Sequence, residues 1–215
     1  MLEASNAVPY SQAGWGAAYR GNIGGRDVRF AITGIGMVNM ALGTYATLQA
    51  ERPTRAVNIG IGGSLGLREL PIGTVVQITE ESFADLGREN AEGFEDLKQM
   101  GFALFSGADK EIFNDVTNDY LLEIIDAQRV RGFSVNTVTG KEQTVDSLLN
   151  RYGSGVESME GAAFFLVCKR LGQAFAAFRA LSNRVGPRAT AEWDIPLAIQ
   201  KLNDFVLEKL KTKEL

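Results

Sequence analysis

Two polar side chains stand where the surrounding sequence is apolar. Glu160 closes Val156-Glu157-Ser158-Met159-Glu160 and heads the run Gly161-Ala-Ala-Phe-Phe-Leu-Val-Cys168. A carboxylate at the head of so apolar a segment is costly to bury without donors, and a ligand carrying hydroxyl groups would supply them. Asn183 ends the run Phe178-Arg-Ala-Leu-Ser182. Its amide offers a donor and an acceptor at once, which suits a base edge carrying both, such as N7 and O6 of a 6-oxopurine after a proton shift. Each residue has a plainer alternative. Acids are favoured at helix starts by the dipole, and Ser154-x-x-Glu157 has the form of a capping box. That accounts for Glu157 better than for Glu160, which stands beside Met159, Ala162 and Ala163. Ser182-Asn183 ahead of Gly186-Pro187 is also common turn chemistry.

A third feature is the glycine run Gly60-Ile61-Gly62-Gly63-Ser64-Leu65-Gly66 after an apolar stretch. Glycines there let backbone N–H groups approach a ligand or water, with Ile61 and Gly62 lining it. A tight strand-to-loop bend is the alternative. As a dinucleotide fingerprint the run fails, because position 65 is Leu where a glycine is required.

The elements that must position these residues follow from periodicity. Strands are expected over 28–33, 55–61, 74–79, 133–139 and 174–181. Helices are expected over 37–51, 116–128, 144–151, 160–171 and 195–211. Residues 155–159 lead into the helix at 160, and 80–115 show no clean period and read as loop and insertion. The strand at 174–181 is apolar apart from Arg179, hence central. The last helix places Ile195, Ala198, Ile199, Leu202, Phe205, Val206 and Leu210 on one face, with Pro196 in its first turn. Strands alternating with helices imply a three-layer α/β fold. Ligands in such folds bind at the carboxyl ends of strands, where the Gly60 run, Thr139-Gly140 and Ser182-Asn183 converge.

Composition narrows the chemistry. The chain has 215 residues, which fits a single domain over 1–215. Its 22 Lys+Arg against 26 Asp+Glu give a net charge of −4, without a basic patch. Neither a nucleic acid nor a membrane surface is an expected partner. There is no histidine, which excludes His general bases, His triads and His metal ligands. No metal or other cofactor is expected. Cys168, the single cysteine, reads as a small buried hydrophobe in a reducing compartment. No apolar run approaches the ~20 residues of a membrane span, and the start lacks the form of a signal peptide. The expected location is the cytoplasm.

Thr33-Gly-Ile-Gly36 entering a helix, Asn58-Ile-Gly-Ile-Gly-Gly63, Val156-Glu-Ser-Met-Glu160-Gly-Ala-Ala163 and Arg179-Ala-Leu-Ser-Asn183 together resemble the nucleoside phosphorylase and hydrolase superfamily. The match covers nearly the whole chain. Within that superfamily, Ser182-Asn-Arg-Val-Gly-Pro-Arg188, Trp193-Asp-Ile-Pro-Leu-Ala-Ile199 and Ser82-Phe-Ala-Asp-Leu-Gly87 are most similar to the futalosine hydrolases. Those enzymes release hypoxanthine from futalosine in a route to menaquinone.

The resemblance implies a three-layer α/β/α fold with a central mixed sheet. It implies that Glu160 binds the ribose 2′- and 3′-hydroxyls, with Met159 packed under the sugar. Asn183 stands where adenine-cleaving relatives carry Asp, and it suits a 6-oxopurine leaving group beside Ser182. The positions that hold phosphate in phosphorylases are Asn58 and Ile61 here. Neither supplies a cation, so water is the expected nucleophile. Arg184 or Arg188 is expected to pair with the benzoate of futalosine, a surface Arg being the alternative. Phe83 covers the base or sugar, or only fills the core. Relatives orient the attacking water with a Glu that follows a first strand. This sequence starts Met1-Leu2-Glu3 without that strand, through truncation, a misassigned start or loss of the strand, and Glu3 is the residue expected at that position. Restoring a strand ahead of Met1 is expected to raise stability and turnover. A methylthioadenosine-type nucleosidase, a phosphorylase and a catalytically impaired nucleoside-binding protein are the alternatives. Relatives assemble, so a homodimer or larger homo-oligomer is expected.

Overall fold

The structure is a computed structural model that describes residues 1–9, 16–107, 111–119, 126–187, 193–212 and 214–215. A 3-10 turn at Glu3–Ser5 precedes β1 (Val8–Pro9), β2 (Ala17–Ile23) and β3 (Arg26–Ile32), which form an antiparallel sheet of their own. Next come α1 (Met37–Glu51), β4 (Ala56–Leu65) and β5 (Val75–Phe83). The hairpin β6 (Gly87–Asn90)–β7 (Gly93–Asp96) and the short pair β8 (Phe105–Ser106)–β9 (Glu111–Ile112) follow. The chain continues through β10 (Asp115–Thr117), β11 (Gln128–Ser134), α2 (Glu142–Tyr152), β12 (Gly155–Ser158), α3 (Gly161–Leu171), β13 (Phe175–Arg184) and α4 (Ile195–Lys211).

The main sheet is mixed, in the order β10-β5-β11-β12-β4-β13. β13 runs parallel to β4 and also pairs antiparallel with β5, so the sheet curls until two of its strands meet. α1 and α3 pack with Phe165, Phe175, Val76 and Leu181 on one side. α4 packs against β13 and β4 through Ala198, Leu202 and Val206. Leu148 of α2 joins Leu65, Phe133 and Val135 in a third cluster. The Phe165 and Phe175 rings meet edge-on at 4.8 Å, a geometry that adds to the gain from burial. β13 is buried from Phe175 to Asn183, as its apolar sequence requires.

Several elements differ from the sequence expectation, each for a physical reason. Residues 80–115 contain the end of β5 and two small hairpins instead of loop. β6 and β7 are held by the Arg88–Glu95 ion pair and an Asn90–Glu95 hydrogen bond of 2.9 Å. Such cross-strand polar pairs stabilise strands without any apolar alternation to read. Residues 115–117 are strand and not helix, because Val116 pairs with Glu81 and is only 1% exposed. The rest of that expected helix, 120–125, lies outside the described residues. The expected strand at 133–139 is β11, which starts and ends earlier, at Gln128 and Ser134. On α4, Ile195 and Ile199 face out and the buried stripe is Ala198, Leu202, Val206 and Lys209. Residues 155–158 are strand β12, with α3 starting only at Gly161. Ser154 and Glu157 therefore form no capping box. β4 has no strand partner on one edge over 56–62 among the described residues.

Candidate active site

Glu160 occupies the N-cap position of α3 and is half-buried. Its Oε1 accepts the backbone N–H of Gly36 at 2.9 Å, and Oε2 accepts that of Met159 at 3.2 Å. Gly36 is the N-cap of α1. Two helix N-termini thus converge on one carboxylate, and both dipoles favour its charge. The donors that the sequence seemed to require come in part from the backbone. A carboxylate has about four acceptor sites, so two remain for hydroxyl groups.

Behind Glu160 lies a buried polar band that the sequence reading passed over. The Arg179 guanidinium is 2% exposed. Its Nη2 donates to Asn58 Oδ1 and its Nη1 donates to the Phe178 carbonyl at 3.0 Å, while Nε has no partner among the described residues. Glu81 is 1% exposed and accepts a hydrogen bond from Ser134 Oγ at 3.0 Å. The same Ser134 oxygen accepts the N–H of Ala162 at 2.8 Å, in the first turn of α3. Glu81 therefore holds the turn that carries Glu160. Only glycines admit it: a Cβ at Gly161 would lie 1.8 Å from its Oε1, and one at Gly132 would lie 2.4 Å away. Burial lifts the Glu81 carboxyl from 4.5 to about 7; Glu160 adds to this, while Arg179 and Ser134 oppose it. Burial also lowers the Arg179 pKa, opposed by the Glu81 and Glu160 charges.

Asn183 lies near the end of β13, 4% exposed. Its Oδ1 accepts from Ser182 Oγ at 2.9 Å and its Nδ2 donates to the Arg184 carbonyl at 2.9 Å. Ser182 Oγ also reaches the Gly62 carbonyl at 3.2 Å. Among the described residues, one donor and one acceptor position of the Asn183 amide stay open. Glu157, on β12, accepts the N–H of Thr139 at 3.0 Å. The expected convergence on carboxyl ends takes a different form. β4 and β13 run opposite to β5, β11 and β12, and the polar groups gather where the two directions meet.

Other expected site residues are placed as follows. Met159 is half-buried between β12 and α3. Ile61 packs toward the α4 cluster, and Gly62 is buried in β4 beneath Val156. Phe83 is 7% exposed and belongs to the core. Arg184 is committed to the turn after β4. Its Nη1 donates to Ser64 Oγ at 2.9 Å and the Leu67 carbonyl at 2.6 Å, and its Nη2 donates to the carbonyls of Arg68 and Leu70 at 3.3 and 2.8 Å. Both terminal nitrogens are thereby occupied, which leaves no fork for a bidentate carboxylate. Arg188 lies outside the described residues. Glu3 does not join the site; it is exposed on the 3-10 turn that packs against β2. The strand that would carry it inward is not among the described elements. A cleft of about 220 Å³ lined by Leu48, Arg52, Pro53 and Leu171 lies at the C-terminal ends of α1 and α3, the far ends from Glu160.

This curled mixed sheet, with an acid at the N-cap position of α3 and an amide near the end of β13, is the arrangement of a nucleoside phosphorylase-type fold, and the Phosphorylase superfamily pattern matches residues 2–211. The chain belongs to that superfamily. A futalosine hydrolase from Acidothermus cellulolyticus is 33% identical over 175 residues, which is 80% of this chain and 70% of that protein. One from Thermus thermophilus is 33% identical over 196 residues, covering 86% of this chain and 81% of that protein. The crystal structure of 5'-methylthioadenosine/S-adenosylhomocysteine nucleosidase from Neisseria meningitidis in complex with methylthio-immucillin-A superposes with a TM-score of 0.80. It is 23% identical, and the match covers 98% of this chain and 92% of that one. It shares the fold.

Proposed function

We propose that the chain is a cofactor-free N-ribosyl hydrolase that cleaves futalosine and releases hypoxanthine, a step toward menaquinone. The carrying observation is Asn183: a buried amide at the end of β13 with one donor and one acceptor unfilled among the described residues, in a fold that sets the half-buried Glu160 at the N-cap position of α3 just after β12. Glu160 binds the two ribose hydroxyls with its remaining acceptor sites. Cleavage passes through an oxocarbenium-like state, and the carboxylate stabilises it by position and charge. Asn183 hydrogen-bonds the departing 6-oxopurine. Asn58 is engaged by Arg179 and Ile61 packs toward α4. Neither offers a cation to a phosphate dianion, which supports water as nucleophile. The futalosine hydrolases at 33% identity support the same substrate.

The second reading is a methylthioadenosine/S-adenosylhomocysteine nucleosidase, favoured by a relative of that kind at 28% identity and disfavoured by Asn183 in place of an acid. Chromatographic measurement of hypoxanthine released from futalosine, with and without phosphate, decides. Release without phosphate is expected. Release only with phosphate makes it a phosphorylase, faster cleavage of methylthioadenosine makes it the second enzyme, and tight binding without release makes it a binding protein.

A homodimer is part of this proposal. Ile35, Val38, Leu42 and Tyr45 form an exposed apolar stripe on and beside α1, Val38 being 83% exposed, larger than isolated surface apolar residues explain. Sedimentation showing a monomer at micromolar concentration would exclude it. Among the described residues no helix is long and apolar enough to cross a membrane, and Cys168 is a buried free thiol. The free thiol accords with the proposed cytoplasmic setting.

A further inference from the structure

The start of α3 is capped from outside the helix. The first N–H groups of a helix have no acceptor within it, and the N-cap side chain ordinarily takes one of them. Glu160 holds that position in α3 and makes no capping hydrogen bond. Its carboxylate turns instead to the N–H groups of Gly36 and Met159. The N–H of Ala162, in the first turn, goes to Ser134 Oγ of β11 at 2.8 Å. Ser134 Oγ in turn donates to Glu81 Oε2 of β5 at 3.0 Å. Both residues are buried. Register explains how they meet. Glu81 pairs with Gly132, and Ser134 lies two residues further along β11 on the same face. With no side chain at Gly132, the Glu81 carboxyl lies across it toward Ser134.

We propose that Ser134 and Glu81 are positioning residues of the site, capping α3 from the sheet so that its own N-cap acid, Glu160, stays free to face the ligand. This rests on the nucleosidase reading above and deepens it. Ser134 has a single hydroxyl hydrogen, and a charged acceptor binds it roughly twice as strongly as a neutral one. With Glu81 ionised, the relay from Ala162 through Ser134 to Glu81 has every hydrogen placed. A proton on Oε2 displaces the Ser134 hydrogen. A proton on Oε1 sits against Gly161 and Gly132, which offer it no side-chain acceptor. Either way the cap weakens, and the Ala162 N–H competes with ribose for the Glu160 carboxylate. The charged groups that act on Glu81 are Arg179 from β13 and Glu160 from the head of α3. β10 meets it with Val116 and β11 with Gly132 and Ser134. Arg131 joins Glu80 and Asp115 on the opposite face, and α4 meets β5 through Val75. Cys168 of α3 remains a thiol, pushed up to about 12 by burial.

The test is kcat/KM for futalosine against pH, in the wild type, Ser134→Ala and Glu81→Gln. That profile reports groups of the free enzyme, and the Glu81 carboxyl, lifted chiefly by burial, titrates at about 7. Wild-type kcat/KM should rise about tenfold from about pH 5.5 to about pH 8 as Glu81 ionises. Both variants should lose the rise; in Ser134→Ala the charge remains but no longer reaches α3. A merely structural role carries activity and stability together. Here activity rises across the window in which the raised pKa lowers stability. A flat wild-type profile overturns the proposal. So does a rise that survives in Ser134→Ala, which would mean that Glu81 acts on Glu160 through space. The Ala162 amide signal of isotopically labelled protein reads the relay without turnover. It should move with a midpoint at about 7 in the wild type, and a signal indifferent to pH overturns the relay. A wild type that cleaves no nucleoside sinks the hydrolase reading while this signal still decides the cap. Should Glu81→Gln not fold, the wild type and Ser134→Ala carry the test.

Discussion

The buried band of Glu81, Arg179 and Glu160 and the exposed cluster of Arg20, Asp27 and Arg29 on the β2–β3 hairpin use the same residue types with opposite physics. In the band, each group is held by one or two oriented partners, Glu81 and Arg179 are buried and Glu160 is half-buried. On the hairpin, Asp27 accepts from Arg20 Nη2 at 3.1 Å and from Arg29, and its side chain is 53% exposed. Removing water strengthens every charge interaction and makes an unmatched group costly. The band can therefore hold geometry for chemistry, whereas the hairpin only decorates a surface. Three substitutions break or sharpen that contrast.

Glu160→Ala should have the largest effect. Its carboxylate is the half-buried part of the band and, in the proposed function, presents acceptors to the ribose. The loss of one oriented electrostatic group in such a site is worth about 100- to 1,000-fold in rate. Steady-state kinetics on futalosine should show kcat falling by that order while the melting temperature moves little, since Gly36 and Met159 lose only one hydrogen bond each. A large stability loss with kcat preserved in the folded fraction would make Glu160 a helix-end brace, no different in kind from Asp27.

Glu81→Gln comes next and is read by pH. The folded-state pKa, about 7, lies above the ordinary 4.5. The folded protein keeps this proton across the window from 4.5 to about 7, where the unfolded chain has lost it. The stabilisation is complete below 4.5 and is lost as pH rises through about 7. Thermal melts across that window should show declining stability for the wild type and a flatter profile for the variant. A residual slope of the same sign belongs to Glu157, whose carboxyl burial also raises. Parallel profiles would mean that Glu81 is ionised throughout and that the band is wetter than its burial implies.

The contrast between the two regions also explains what the sequence disclosed. Glu160 and Asn183 stood out because each interrupts an apolar run, and the structure gives both buried polar partners. The strand bearing Arg179 was legible as central because strands covered on both faces read as unbroken apolar runs. Glu81 was not legible. It follows Glu80 in a polar-looking stretch, and its burial depends on Gly132 and Gly161, which are far from it in sequence and adjacent only in the curled sheet. Glu157 was misread as a capping acid because local spacing fits a capping box, whereas pairing with β4 and β11 decides that segment as strand. Arg184 looked like a ligand arginine, and the turn at 64–70 that claims it is nonlocal too. Local pattern found residues whose neighbours in sequence are their neighbours in space, and it missed those whose partners arrive through topology.

Asp27→Asn should have the smallest effect, and it is the sharpest control. Hydrogen bonds from Arg29 and then Arg20 hold the Asp27 carboxyl below its ordinary 3.8. The sign is opposite to that of Glu81: this stabilisation is present above 3.8 and is lost as pH falls through the lower folded-state value. Its magnitude is small, because exposed pairs are screened by water and salt and hold two long side chains at an entropic cost. Melting temperature near neutral pH should be unchanged within error. Any difference should appear only at low salt and should shrink as salt is added. Arg29 also donates to Glu51 Oε2 at 2.9 Å at the end of α1, so it keeps a half-buried partner after the substitution. A loss as large as that from Glu81→Gln, insensitive to salt, would show that the hairpin charges lock the three-stranded sheet onto α1. The division between a working interior and a decorated surface would then fail at its simplest point.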